Sequence, residues 1–343
     1  MRSCVISREC TPTQVNRKHR RPLRRDAACV YEGGAHGQEL GVGLDSLTAY
    51  QVLRQPRHET LRVRGLDMHL TRWGPEASES VSPVFLLHGW LDSGETFQFM
   101  VDALQRDWPL VALDWRGFGR SEWPQQGYWF PDYLGDLDAL LDQLSPAAPA
   151  RLVGHSMGGN IACSYAGIRP ERVRCVINLE GFGLARASPA QAPARMRKWL
   201  DQLKSPSPRK DYASFEELAR IIEFRYPRFS AAQAAFVAAV WGKLDAGGRV
   251  RLAGDPRHHW VNPILYKRED TEASWRELRA PLLMLVGEES DSLAKLGADG
   301  TTAAFRAIFP HIEIVRVAGA GHMLHIERPD LVASLVETFL DAH

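Results

Sequence analysis

The sequence predicts an α/β protein with a doubly wound, mostly parallel sheet flanked by helices and an inserted helical cap. Three observations carry that prediction. Short, continuous apolar runs recur at 84–87, 110–113, 152–153, 176–179 and 282–286. Such runs suit strands covered on both faces, where no alternation with polar residues is needed. Helical periodicity fills the spaces between them at 95–104, 133–144 and 157–168, the alternation that builds parallel sheets. The rhythm then breaks from 182 to 278, a stretch too long for a simple connection.

Each element follows from its local pattern. Residues 59–64 and 67–73 alternate polar and apolar around Gly65, which reads as an antiparallel hairpin leading into the sheet. The five apolar strands and their helices come next. Within the break, helical spacing appears at 194–203, 215–224 and 231–244, separated by Pro- and Gly-containing turns and with no evident sheet strand. Trp199, Phe224, Tyr226, Phe229, Trp241 and Trp260 make this stretch aromatic, some of them for a core and some to line a pocket. A last strand rich in β-branched residues is expected at 312–317, then an amphipathic helix from Pro329 to about residue 340. The organisation is therefore a basic extension over 1–45, a core from 50–181 and 279–343, and a helical cap over 182–278.

Composition narrows the function classes. Of 343 residues, 45% are hydrophobic and 24% charged, with a net charge of +1, so the chain as a whole has no electrostatic footprint for nucleic acid or an anionic membrane. No apolar run has the length of a membrane span. Cys4, Cys10, Cys29, Cys163 and Cys175 show no metal-binding spacing and read as free thiols of a reducing, cytoplasmic compartment. The first 45 residues hold a basic cluster between Arg17 and Arg25 without a following apolar segment. They read as a disordered extension rather than a secretory signal. The expected partner is a small-molecule substrate, with no nucleic acid, no cofactor and no metal, in a monomer or homodimer.

The chemistry centres on Ser156, in the run Gly154, His155, Ser156, Met157, Gly158. A strand delivers a hydroxyl into a tight turn that opens a helix, the G-x-S-x-G nucleophile elbow. The flanking glycines let strand and helix pack closely around a strained serine. Five letters alone are weak, so the context must carry the reading. His88, Gly89 and Trp90 end another strand, and backbone N–H groups of Trp90 and Met157 are the natural donors to a developing oxyanion. Asp114 to Ser121 forms a glycine-bearing loop read as structural, with Asp114 and Arg116 satisfying buried backbone groups. His322 follows the last strand in a loop of small residues, where an imidazole can reach the serine as general base and acid. His325 competes for that role from three positions on. For the acid that orients the histidine, Glu288, Glu289 and Asp291 lie after the strand at 281–286, and Glu180 lies after the strand ending at Leu179.

Taken together, His88-Gly89-Trp90, the D-x-R-G-x-G-x-S run from Asp114 to Ser121, Gly154 to Gly158, Gly287 to Asp291 and Gly321-His322 resemble the α/β-hydrolase fold superfamily, in its order of nucleophile, acid and histidine. The resemblance covers nearly everything after residue 50. It implies Ser156 as nucleophile, His322 as base and an acid in the loop after Gly287. The usual acid position holds Ser290 here, and the G-x-x-S-D variant of the family places the acid at Asp291, with Glu180 and Glu289 as alternatives. A serine at the elbow argues against haloalkane dehalogenases and epoxide hydrolases, which use a carboxylate there. The expected activity is hydrolysis of an ester-type bond (carboxylic ester, thioester or lactone) in a small, largely apolar substrate through an acyl-enzyme. A C–C bond hydrolase, a cofactor-free haloperoxidase and a non-catalytic ligand-binding protein are the alternatives on the same fold.

Overall fold

The computed structural model describes residues 49–76, 82–205, 210–309 and 311–343. The basic segment over 1–45 lies outside them, as do Cys4, Cys10 and Cys29. Eight strands form one sheet: β1 (Arg57–Val63), β2 (Leu66–Trp73), β3 (Val84–Leu87), β4 (Leu110–Leu113), β5 (Ala150–His155), β6 (Val173–Leu179), β10 (Leu282–Gly287) and β11 (Ile312–Val317). Their spatial order is β1-β2-β4-β3-β5-β6-β10-β11. The hairpin β1–β2 and the β2–β4 pair are antiparallel, and every later pair is parallel. This is the doubly wound, mostly parallel sheet expected from the apolar runs.

The reason for those runs is visible in β3. Phe85 and Leu87 enter the apolar cluster on one face of the sheet, while Val84 and Leu86 enter the cluster on the other. Neither side meets water, so no polar alternation survives. Helices α2 (Phe130–Leu144) and α3 (Met157–Ile168) cover the first face. α1 (Gln98–Ala103), the short α9 (Leu324–Glu327) and α10 (Pro329–Ala342) cover the second. α10 shows how: Pro329 fits its first turn, and Val332, Ala333, Val336, Phe339 and Leu340 fall on one buried stripe. The outer strand β1 is mostly exposed and carries Arg57, His58, Glu59 and Arg62, charges that discourage edge-to-edge pairing.

Between β6 and β10 the chain leaves the sheet. It forms α4 (Ala192–Lys204), α5 (Phe215–Arg225) and α6 (Ala231–Trp241), together with three short strands, β7 (Asp211–Tyr212), β8 (Gly242–Leu244) and β9 (Val250–Leu252). The small antiparallel sheet, ordered β7-β9-β8, corrects the expectation of a purely helical insertion. α6 stops at Trp241 rather than continuing to 244 because Gly242 turns the backbone extended, at φ −99° and ψ 153°. Ser230 and Gln233 form a capping box at its start. Leu218, Ile222, Phe229, Val237 and Val250 close a third apolar cluster that includes Phe99, Met323 and Ile326 from the sheet domain. The insertion therefore rests on the loops at the strand ends. α7 (Arg268–Arg276) departs from the expected boundary at 278: it packs on α3, and Trp275 lies in the main core. α8 (Thr302–Ile308) completes the covering helices.

His258 anchors the insertion from within. Its ring is sandwiched between Phe118 and Tyr128, with both centroid separations 3.6 Å. Burial lowers its pKa from 6.5 to about 3. Below pH 6.5 the unfolded chain takes a proton that the folded chain refuses, so the stability due to His258 is complete above pH 6.5 and falls as pH drops toward 3. The slope is about 1.4 kcal/mol per pH unit. Urea unfolding at pH 7 and pH 5 is expected to show this loss, and a His258→Phe variant, which keeps the stacking, to lack that portion.

Candidate active site

The elbow is built by close approach. Ser156 follows the last residue of β5 and precedes the first of α3, and its backbone sits at φ 51°, ψ −111°. A side chain other than glycine is strained there. Its N–H donates to the Leu179 carbonyl at 2.7 Å, and its own carbonyl accepts from Asn160 at 3.0 Å. A Cβ on Gly158 would fall 2.0 Å from the Leu87 carbonyl oxygen, and one on Gly154 would fall 2.4 Å from the Gly158 carbonyl oxygen. Only glycine lets β5, β3 and α3 converge so tightly at this point.

His322, in the loop after β11, points its Nε2 at Ser156 Oγ, 3.1 Å away, and its Nδ1 at Glu180 Oε2, also 3.1 Å away. Glu180, directly after β6, is 2% exposed and holds φ at +61°. Asn178 fixes this turn by exchanging two 2.7 Å bonds with Gly181. Oε1 of Glu180 accepts from the Gly287 N–H at 2.8 Å, and Oε2 accepts from Ser290 Oγ at 2.5 Å. With Gly287 and Ser290 donating to it, the buried Glu180 side chain faces Nδ1 of His322 as an acceptor, which puts the imidazole N–H on Nδ1 and leaves Nε2 to accept from the serine.

Asp291, the first choice for the acid, is not in that position. Its side chain is 76% exposed and pairs with Lys295 at 2.8 Å. Glu289 likewise faces Arg228 at 3.3 Å with 55% of its side chain exposed. The physical reason lies in adjacent strands: β6 and β10 pair side by side, Leu179 opposite Leu285. An acid at the end of β6 thus reaches the histidine that an acid after β10 would otherwise reach. The loop after β10 contributes Ser290 and a backbone amide instead. The signal was Glu180 itself, an acidic residue immediately after an apolar strand and followed by glycine.

The chain after β3 borders the elbow. A Cβ on Gly89 would lie 3.2 Å from Ser156 Cβ, so the Trp90 backbone runs alongside the serine, and Met157 opens α3 on the opposite side. Among the described residues neither the Trp90 nor the Met157 amide donates a hydrogen bond. His88 is structural: its Nδ1 bonds the Gly89 carbonyl at 2.7 Å and its Nε2 accepts from the Trp115 N–H at 2.9 Å. Asp114 is structural too, accepting from Gly94 and Arg120 amides and from His69. Arg116 differs from expectation by pairing with the buried Asp136 carboxylate at 2.5–2.6 Å rather than with backbone. His325 is fully buried and makes no contact with Ser156 that would let it serve as the base.

A cavity of about 350 Å³ adjoins this loop, walled by Leu91, Trp241, Leu252 and Pro256 and edged by Lys210, Lys243 and Arg251. Its lining includes His259, against whose ring Trp90 packs edge-on at 5.3 Å. Trp241 is the one aromatic of the insertion singled out from sequence that lines it, whereas Phe224 is 91% exposed and Phe229 is core. Next to His322, whose ring centroid is 4.9 Å from that of His155, Asp92, His155 and His325 form a buried group with one side-chain N or O atom from each all within 4.8 Å of one another. Among the described residues no helix is long and apolar enough to cross a membrane.

Comparison with known proteins bears on the family and the fold. The chain is 26% identical over 287 residues to a serine hydrolase-like protein of Danio rerio, covering 78% of this chain and 83% of that one. It is 27% identical over 265 residues to the 2-(acetamidomethylene)succinate hydrolase of Mesorhizobium japonicum, covering 76% and 88%. Among solved structures, the thioesterase domain from the curacin biosynthetic pathway superposes with a TM-score of 0.73 at 25% identity, covering 83% of this chain and 99% of that domain. These names, with the family, support hydrolase activity. The sequence pattern of the alpha/beta hydrolase fold matches residues 82–329, and the chain belongs to that family.

Proposed function

We propose that the protein is a serine hydrolase cleaving an ester-type bond of a small carbonyl substrate through an acyl-enzyme. The observation that carries this reading is the continuous relay from Ser156 Oγ through His322 to Glu180, with both links at 3.1 Å. His322 Nε2 takes the hydroxyl proton as Ser156 attacks the carbonyl carbon, and Glu180 stabilises the imidazolium that results. The unengaged amides of Trp90 and Met157 receive the oxyanion. The proton on Nε2 then goes to the leaving group, and water resolves the acyl-enzyme through the same base. The insertion acts as a cap that selects the substrate and limits water at the serine. A fluorophosphonate is expected to label the wild type at Ser156 and to leave Ser156→Ala unlabelled. Labelling that persists in the variant rejects the assignment.

The cavity supports a more specific preference. Apolar walls suit the acyl or alcohol part of the substrate, and the cationic Lys210, Lys243 and Arg251 in its lining, with Arg251 also paired to Asp245 at 2.8 Å, suit a terminal carboxylate. Of two esters matched in length, the one ending in a carboxylate is expected to have a kcat/KM about tenfold higher than its methyl-terminated counterpart. Raised salt is expected to narrow the gap, because charges at an open edge are screened. Equal rates would place the substrate's far end outside this cavity.

A further inference from the structure

We propose that Asp92, His155 and His325 form a buried site for a divalent transition-metal ion of the zinc class, which ties together the three chain segments that carry Trp90, Ser156 and His322. Asp92 comes from the turn after β3, His155 from the end of β5 and His325 from α9. Asp92 lies two residues after Trp90, His155 immediately precedes Ser156, and His325 lies three residues after His322. Their relative exposures are 5%, 2% and 0%, and their ligand atoms all lie within 4.8 Å of one another.

What they lack is as informative as where they lie. Asp92 Oδ1 accepts from the Ser93 N–H and from Trp241 Nε1, both at 2.8 Å, but Oδ2 has no hydrogen-bond partner among the described residues. His155 donates from Nε2 to the His322 carbonyl at 2.8 Å, and its Nδ1 is unpartnered. Both nitrogens of His325 are unpartnered too. Buried polar atoms left in this state are costly, and proteins satisfy them.

The chemistry of the unpartnered atoms favours a cation. With Nε2 of His155 serving as a donor, its Nδ1 presents a lone pair. Asp92 Oδ2 presents a second, and His325 can supply a third. A divalent metal takes all three lone pairs at once. A carboxylate with two neutral imidazoles is a ligand set for zinc and its neighbours. The bond from His155 to a backbone carbonyl is the outer contact that fixes the tautomer and orientation of a metal-ligating histidine. Zinc bonds of about 2.0–2.2 Å bring three ligand atoms to about 3.3–3.5 Å of one another, so binding would draw the three segments inward. No covalent step is involved, and the site does not depend on the reaction proposed above.

The test is cobalt titration of the metal-free full-length protein, followed by visible absorption and by displacement with zinc. One equivalent is expected to bind and to be displaced. Ser156→Ala and His322→Ala are expected to retain it, which separates this site from the half-buried His322. Asp92→Asn keeps an acceptor for Ser93 and Trp241, and His325→Phe keeps a ring against Phe97, 5.0 Å away in the native protein. Each is expected to weaken binding by about 100-fold or more. Zinc-edge anomalous scattering from wild-type crystals locates the ion without any variant. A peak between the three side chains supports the site. No binding, binding that survives both ligand substitutions, loss in His322→Ala, or a peak elsewhere overturns it.

Discussion

Glutamine in place of Glu180 is expected to lower kcat by about 10⁴-fold with little change in KM, the magnitude that follows when a triad acid becomes an amide. The side chain keeps its size, and its amide oxygen, in the place of Oε1, can still accept from the Gly287 N–H at 2.8 Å, while the Ser290 hydroxyl, now beside the NH₂, loses its acceptor. That leaves the amide NH₂ facing His322 Nδ1, 3.1 Å from the present carboxylate. The imidazole would then place its proton on Nε2, the nitrogen that must accept from Ser156. The companion variant Asp291→Asn removes only an exposed pair with Lys295, which solvent screens, and is expected to keep kcat within a few-fold. Steady-state kinetics on one ester separate the two. If Asp291→Asn were the crippled variant and Glu180→Gln the active one, the acid would belong to the loop after β10.

Alanine at position 156 is expected to lower kcat by about 10⁶-fold, again with KM nearly unchanged, because the hydroxyl contributes little to binding but is the attacking atom. The residual rate would come from the Trp90 and Met157 amides polarising a carbonyl toward water. Combining Ser156→Ala with Glu180→Gln should add almost nothing, since an acid that orients a base has no effect once the base has no nucleophile to activate. Independent losses that multiplied in the double variant would mean that Glu180 acts outside the Ser156–His322 relay.

The contrast between those two carboxylates shows what a linear reading reaches. The strands were legible because residues such as Val84 to Leu87 are apolar on both sides, a pattern that burial on two faces imposes on the sequence itself. Ser156 and His322 were legible for a similar reason, as their glycine neighbours record a close approach of backbone. The acid was not. Its position depends on β6 and β10 lying side by side in the sheet, and nothing within the loop from Gly287 to Asp291 reports which neighbour fills its gap. The three short strands of the insertion escaped notice because each is two or three residues long, too short for a period to show. Trp275 was assigned to the insertion by position in the chain, although its burial against α3 makes it part of the sheet's core.

Leu91, Ser156 and Glu180 share a left-handed backbone, with φ of 59°, 51° and 61°, and they stand at the ends of the neighbouring strands β3, β5 and β6. Such a conformation costs a non-glycine residue about 1–2 kcal/mol. Selection for stability alone would therefore drift these positions toward glycine, and Ser156→Gly is expected to raise the melting temperature while removing the nucleophile. Thermal melts of that variant beside Ser156→Ala would measure the difference. The rim of the sheet thus works as a loaded spring: Ser156 and Glu180, the side chains of the proposed relay, are held where the backbone least prefers a side chain at all.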